Sequence, residues 1–161
     1  MTEMILSGSG LYTPPYSISN DELVQTFNQY VAHFNKQHSD EIAAGTLTPL
    51  EYSSSEFIVK ASGIKSRFVV DKEGILDPRR MRPKIPERAD EELSLLGEIG
   101  VAAAEQALER AGRKAEEIDL VIVACSNLQR AYPAIAIEIQ HHLGCPGYGY
   151  DMNVACSSAT F

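Results

Sequence analysis

Tyr148-Gly149-Tyr150-Asp151-Met152-Asn153-Val154-Ala155-Cys156-Ser157-Ser158-Ala159-Thr160-Phe161 is the stretch around which the rest of the chain arranges itself. Its apolar run, residues 148–155, reads as a buried strand, and the small residues after Cys156 allow a helix to start at once and pack closely. Cys156 then sits on a strand-to-helix turn. There the unpaired N–H groups and the positive end of a helix dipole favour a thiolate, which makes a cysteine nucleophilic. Taken alone, the same residues also fit a cysteine that is simply a small buried hydrophobe.

Working outward, Cys145-Pro146-Gly147 is a turn, and Pro133 can open a helix through Ile135, Ala136, Ile139 and Leu143 that Gly144 closes. Asp119-Leu120-Val121-Ile122-Val123-Ala124-Cys125 is a continuous apolar run, the pattern of a strand buried on both faces, so helices are expected on both sides of the sheet. Between it and the Pro133 helix lies a polar loop carrying Ser126, Asn127, Gln129 and Arg130. Leu93, Leu96, Gly97, Gly100, Val101, Ala104, Ala107, Leu108 and Ala111 share one helical face, which predicts a helix over residues 90–111 with Asp90 as cap and Gly112 as stop. Its stripe of glycine and alanine signals close packing rather than a site. Strands alternating with helices predict an α/β architecture with a mainly parallel sheet, in which ligands gather at the carboxyl ends of strands. Cys125 and Cys156 both stand at such ends.

Residues 4–11 form a short apolar run read as a buried strand, whose Gly8 and Gly10 let another backbone approach closely. Asn20 is the expected cap of a helix over residues 21–36, with Leu23, Val24, Phe27, Tyr30, Val31 and Phe34 at helical spacing. Residues 37–50 read as a polar surface insertion. Ser53-Ser54-Ser55 caps a short helix around Glu56-Phe57-Ile58-Val59-Lys60 that Gly63 closes, and residues 64–70 read as a strand or an extended arm. Residues 71–89 form a proline-containing loop with Arg79, Arg80, Arg82, Lys84 and Arg88. That loop is either a solvated basic surface or a cradle for phosphates or an acidic partner.

The 161 residues are 44% hydrophobic and 22% charged, enough for one sizeable core. A net charge of −8 argues against a nucleic-acid surface. The three cysteines show neither a disulfide framework nor zinc-ligand spacing, so reduced thiols, a cytoplasmic location and no metal are expected. Residues 1–6 lack a basic-then-apolar leader, and no stretch is apolar for long enough to span a membrane. A soluble, untargeted protein is expected.

Cys125 is the rival nucleophile, but a polar loop follows it instead of a helix, which favours a packing role or a pocket wall. His33, His38, His141 and His142 lie near helix ends, where positive charge has a structural reason of its own. Phosphate-loop, dinucleotide-binding and zinc-protease motifs are absent from the sequence.

The order of fragments resembles the amino-terminal half of the β-ketoacyl-acyl-carrier-protein synthase III family, of thiolase-like fold. The resemblance covers nearly the whole chain. It is carried by Met4-Ile5-Leu6-Ser7-Gly8-Ser9-Gly10-Leu11-Tyr12-Thr13-Pro14, by Glu56-Phe57-Ile58-Val59 with Ser62-Gly63-Ile64-Lys65-Ser66-Arg67, by Asp119-Leu120-Val121-Ile122-Val123-Ala124, and most tellingly by Asp151-Met152-Asn153-Val154-Ala155-Cys156-Ser157. It implies the amino-terminal half of an αβαβα layered fold, a mainly parallel sheet covered by helices. Residues 1–161 would be a half-domain that stops just after the nucleophile elbow, with the carboxyl-terminal half absent and the fragment alone inactive.

The implied activity is an acyltransferase of fatty acid biosynthesis. Cys156 takes an acyl group from acyl-CoA and condenses it with malonyl-acyl carrier protein, with loss of CO2. The family's histidine and asparagine, which stabilise the developing oxyanion, belong to the other half. No cofactor is implied, CoA entering only as a thioester substrate. Ser53, Phe57, Ser62 and Tyr132 are the implied substrate-binding residues, and a homodimer is implied because Tyr132 matches a position that reaches across the family's dimer interface to bound the acyl pocket. Phe57 stands where many members place a tryptophan that stacks on the CoA adenine, and Ala61 replaces an arginine near that nucleotide. Weaker or differently placed CoA binding is therefore expected, with Arg79, Arg80 and Arg82 as candidates to compensate. The insertion at 37–50 points to a medium or long acyl primer. The alternatives are another thiolase-fold condensation, such as polyketide starter loading or joining of two acyl-CoAs, and a non-catalytic binding or structural subunit.

Overall fold

A computed structural model describes residues 4–160. The chain divides into two units, residues 13–86 in one and residues 4–12 with 87–160 in the other.

The first unit starts with β1 (Tyr16–Ser19), runs through the long helix α1 (Asn20–Gln37), the short α2 (Ser39–Ala43) and α3 (Ser55–Ser62), and ends in β2 (Ser66–Val69). β1 and β2 pair antiparallel, Tyr16 opposite Val69 and Ser19 opposite Ser66. The cap of α1 is Ser19 and not the expected Asn20. Glu22 donates its N–H to Ser19 Oγ (3.2 Å) and returns its carboxylate to the Ser19 N–H (2.9 Å), a reciprocal capping box. Asn20 is committed elsewhere: its buried amide donates to Ile64 O (2.7 Å) and accepts from the Arg67 guanidinium (2.9 Å), tying the start of α1 to the approach of β2. As expected, Ser54 caps α3, and Gly63 closes it in the left-handed region, φ 73°.

The insertion at 37–50 is at the surface as expected, none of its residues being buried, and α2 lies within it. The segment that follows is zipped along α1 by two asparagines seven residues apart. Asn35 bonds the C=O and N–H of Leu50, and Asn28 those of Ser53, all at 2.9–3.0 Å. Each side-chain amide does for one extended residue what a neighbouring strand would do. The basic loop is also pinned. Asp71 accepts from the N–H groups of Gly74 and Lys84, Thr26 Oγ1 donates to Leu76 O (3.3 Å), and Lys72 pairs with Glu22 (2.5 Å).

The second unit contains α4 (Leu95–Ala111), β3 (Leu120–Ala124), α5 (Ile135–Leu143) and β4 (Tyr148–Met152), with one-turn 3₁₀ elements at Ala115–Glu117 and Ser158–Thr160. β3 and β4 are parallel, Leu120 opposite Tyr148 and Ala124 opposite Met152, with α5 as the crossover between them. α4 starts at Leu95, later than the expected 90, because Ser94 rather than Asp90 caps it through the Gly97 N–H (2.9 Å). The preceding residues are held instead by Arg88, whose guanidinium pairs with Glu98 (2.7 Å) and donates to Leu93 O (2.7 Å). The end at Gly112 is as expected.

Residues 4–12 are extended but form no strand, a correction to the sequence expectation, and Met4, Ile5 and Leu6 are 82–100% exposed. No neighbouring strand among the described residues offers them a ladder. The two glycines do what the sequence implied. A Cβ on Gly8 would lie 2.3 Å from Ala107 O, and one on Gly10 1.8 Å from Ala103 O, so only glycine permits this contact with α4.

Val101, Ile135 and Ile139 form the buried centre, surrounded by Leu93, Leu96, Val121, Val123, Cys125 and Leu143. Alternation along β3 and β4 turns Val121 and Val123 inward but leaves Leu120, Ile122, Tyr148 and Tyr150 37–67% exposed. The sheet is thus packed on one face, and the covering of its second face expected from the apolar run is not supplied by the described residues. Among these residues no helix is long and apolar enough to cross a membrane.

Candidate active site

Cys156 follows β4 by four residues and is exposed. Its turn is held by side chains on both sides of it. Asn153 Oδ1 accepts from the Ala155 N–H (3.2 Å), while the buried Ser158 hydroxyl accepts from Val154 N–H (2.9 Å) and donates to Ala155 O (2.8 Å). Ala155 has φ 49°, a left-handed conformation that costs an alanine about 1–2 kcal/mol and persists because the hydroxyl and amide clamp it. The elbow presents the thiol outward on a strained turn. The helix expected from Ser157 is here the single 3₁₀ turn Ser158–Thr160, Phe161 lying outside the described residues. One turn fixes many dihedrals for few hydrogen bonds and has only a small dipole.

The elbow is anchored by a contact that the sequence did not reveal. Asp151, next to last in β4, accepts from the N–H groups of Ile135 (2.9 Å) and Ala136 (2.8 Å), so a carboxylate caps the first turn of α5 from the strand beside it. Its signal was present in the opening stretch, as the one acid in an apolar strand. The loop before α5 is anchored too. Gln129 Oε1 accepts from Leu95 N–H (2.8 Å), and the Arg130 guanidinium donates to Asp90 O (3.3 Å) and Glu92 O (3.2 Å). Tyr132 stands between these anchors, 88% exposed.

Cys125 extends the ladder through its N–H to Met152 O (3.2 Å), packs against the core cluster and turns its sulfur to Asn127 O (3.0 Å). It is a wall residue, as its sequence context implied. Cys145 is buried, and that burial pushes its thiol up from the ordinary range, which disfavours its thiolate.

Ser53, Phe57 and Ser62 belong to the first unit, Tyr132 and Cys156 to the second. Phe57 is 66% exposed in the first turn of α3, its N–H on the cap Ser54 (3.1 Å), so its ring is offered to solvent. Ser53 has its backbone committed to Asn28, and its side chain lines an apolar cleft with Leu23, Val24, Phe27, Ile58 and Met81. The Ser62 hydroxyl donates to Ile58 O (2.7 Å) and accepts from Ile64 N–H (3.2 Å), which closes the end of α3. His38 stacks near Phe34 and pairs with Glu41 (2.5 Å), and His141 and His142 occupy the last turn of α5. Among the described residues no cluster of histidine, cysteine and acidic groups could hold a metal ion.

No family model matches the chain. It is 66% identical over 138 residues to the β-ketodecanoyl-[acyl-carrier-protein] synthase of Pseudomonas aeruginosa, a match covering 86% of this chain and 39% of that protein. It is 26% identical over 162 aligned positions to a β-ketoacyl-[acyl-carrier-protein] synthase III of Granulibacter bethesdensis, covering all of this chain and 37% of the relative. Among solved structures, the priming β-ketosynthase of the R1128 polyketide biosynthetic pathway superposes with a TM-score of 0.61 at 26% identity, over 95% of this chain and 33% of that one. The fold is thiolase-like, and the chain spans well under half the length of these relatives.

Proposed function

We propose, from a chain that resembles the amino-terminal part of the β-ketoacyl-[acyl-carrier-protein] synthase III family, that it carries the nucleophile half of an acyltransferase performing a decarboxylative Claisen condensation. The observation that carries this reading is the elbow, which holds an exposed Cys156 on a strained, doubly clamped turn at the carboxyl end of a parallel strand. The Cys156 thiolate attacks the carbonyl carbon of an acyl-CoA, the tetrahedral oxyanion collapses, and the CoA thiolate leaves with a proton. Malonyl-acyl carrier protein then loses CO2, and the electron pair of the broken bond becomes an enolate. The enolate carbon attacks the acyl-enzyme and expels the cysteine thiolate, leaving a β-ketoacyl-carrier protein. The donors for the two oxyanions are the histidine and asparagine that the resemblance assigns to the carboxyl-terminal part, so residues 1–161 alone are expected to be inactive.

The name of the Pseudomonas aeruginosa relative narrows the primer. A ten-carbon β-ketoacyl product takes two carbons from malonyl after decarboxylation, which leaves an eight-carbon acyl donor. Octanoyl-CoA is therefore the proposed first substrate, which falls within the medium or long primer range expected from the insertion at 37–50. Phe57 is proposed to stack on the CoA adenine, with Ser53 and Ser62 beside it on α3 and its lead-in, and Tyr132 to bound the acyl pocket from the partner subunit of a homodimer. A cytoplasmic location and the absence of any cofactor complete the reading.

A second reading, condensation of a polyketide primer, is favoured by the likeness to the R1128 priming ketosynthase. Product analysis separates the two. The full-length protein given octanoyl-CoA and malonyl-acyl carrier protein is expected to yield β-ketodecanoyl-carrier protein. A product formed only with another carrier protein, or two acyl-CoAs joined without malonyl-carrier protein, would overturn the fatty-acid reading.

A further inference from the structure

We propose that Arg130 and Glu138 are positioning residues that fix the placement of Tyr132 and so set which acyl-chain length is accepted; this rests on the reading above, in which Tyr132 bounds the acyl pocket. An exposed tyrosine can limit a pocket only if its backbone cannot drift. Within the described chain Tyr132 is 88% exposed, so apart from contacts with a partner subunit its position depends on the residues to either side. On the far side, Asp151 holds the Ile135 and Ala136 N–H groups (2.9 and 2.8 Å). On the near side the fixing group is the Arg130 guanidinium, two residues before the ring, which donates to Asp90 O and Glu92 O at the approach to α4 (3.3 and 3.2 Å).

Glu138 locks that guanidinium in place. Its side chain is 6% exposed, and Oε2 accepts from the Ser94 N–H (2.7 Å), but Oε1 is buried with no hydrogen-bond partner and lies 3.8 Å from Arg130 Nε. The cation beside Oε1 compensates a buried carboxylate that would otherwise be left short of partners. Gly97 makes room for the arrangement, since a Cβ there would lie 2.9 Å from Glu138 Oε2. Releasing either charge leaves the other uncompensated, and a displaced Arg130 frees the loop at Tyr132. A merely structural role would lower stability for every substrate alike. A positioning role changes the ratio between substrates.

The test uses the full-length protein and compares kcat/KM for octanoyl-CoA and for butyryl-CoA in wild type, Arg130→Ala, Tyr132→Ala and the double variant, with Tm recorded for each. Arg130→Ala is expected to shift the ratio about tenfold, the scale on which apolar pockets discriminate chain length. The double variant is expected to match Tyr132→Ala, since the two residues act through one element. Glu138→Gln keeps the volume and the bond to Ser94, so it serves if Arg130→Ala does not fold, and is expected to shift the ratio in the same direction. A wild-type ratio in the Arg130→Ala and Glu138→Gln variants, or ratio changes that simply add in the double variant, would overturn the positioning role. Failure of the wild-type protein to be acylated at all would instead overturn the functional reading, and this proposal with it.

Discussion

Replacing Asp151 tests how the elbow is held. Its carboxylate takes two N–H groups of the first turn of α5, at 2.9 and 2.8 Å, and places a negative charge at the positive end of that helix. Removing a helix cap costs about 0.5–2 kcal/mol, typically about 1. Losing the charge adds about 0.3–1 kcal/mol. Asp151→Ala should therefore destabilise α5 by about 2 kcal/mol, and Asp151→Asn, which keeps one acceptor oxygen but no charge, by about half as much. Native-state hydrogen exchange on the intact full-length protein reads this locally. About 2 kcal/mol corresponds to roughly a thirtyfold loss of protection at the amides of α5, with Asn between Ala and wild type. Cys156 lies five residues beyond Asp151, so its acylation should slow in the same order. The reasoning fails if Asp151→Ala leaves the α5 amides within about twofold of wild type, or if Ala and Asn lose protection equally.

Lys72 and Ser19 together lower the Glu22 carboxyl from an ordinary value of 4.5 to about 2, the hydrogen bond from Lys72 being the largest cause. A carboxyl lowered on folding contributes stability that is fully present above its unfolded value and lost as pH falls through its folded one. Acid unfolding should thus show a stability loss between about pH 4.5 and 2 that Glu22→Gln removes, measured as the slope of stability against pH; an unchanged slope would contradict the assignment. In the basic loop, Arg80 donates to the carbonyls of Arg82 and Pro83, so of the three arginines proposed to compensate in CoA binding, Arg79 and Arg82 are the ones expected to reach the ligand. Calorimetric titration of the full-length protein should find CoA binding weakened several-fold in Arg79→Ala/Arg82→Ala and little changed in Arg80→Ala, whereas unchanged affinity in the double variant would end the idea of compensation.

Local signals announced themselves in the sequence where a single residue type does the work. Ser54 and Gly63 bracket α3, Gly112 and Gly144 end α4 and α5, and the apolar run around Val121 gives β3. Elements made by partners could not be read that way. β1 is four residues of which two are serine, and it is a strand only because β2 pairs with it. Asn28 and Asn35 look like ordinary polar positions on a helix until residues 50 and 53 come alongside. Asp90 and Ser94 are both acceptable caps, and the choice of Ser94 follows from Arg130 and Arg88 holding the chain before it. Residues 4–12 carry a strand's pattern, but among the described residues they lie against α4 at Gly8 and Gly10 and pair with no strand.

The site divides in the same way. Cys156 and its turn follow from a strand meeting small residues, so the exposed cysteine beyond the end of β4 was legible. The groups that hold it, Asp151 to the first turn of α5 and Ser158 across the turn, act at positions where sequence spacing gives no hint of contact. Arg130 and Glu138, eight residues apart, meet only because the loop doubles back onto the approach to α4.

The central claim is that Cys156 is the group that takes the acyl chain. Intact-protein and peptide mass spectrometry of the full-length protein after incubation with octanoyl-CoA tests it most directly. The account predicts one octanoyl adduct, on the peptide containing Cys156, that disappears in Cys156→Ala and persists in Cys125→Ala. An adduct that survives Cys156→Ala, or sits on Cys125, would contradict it.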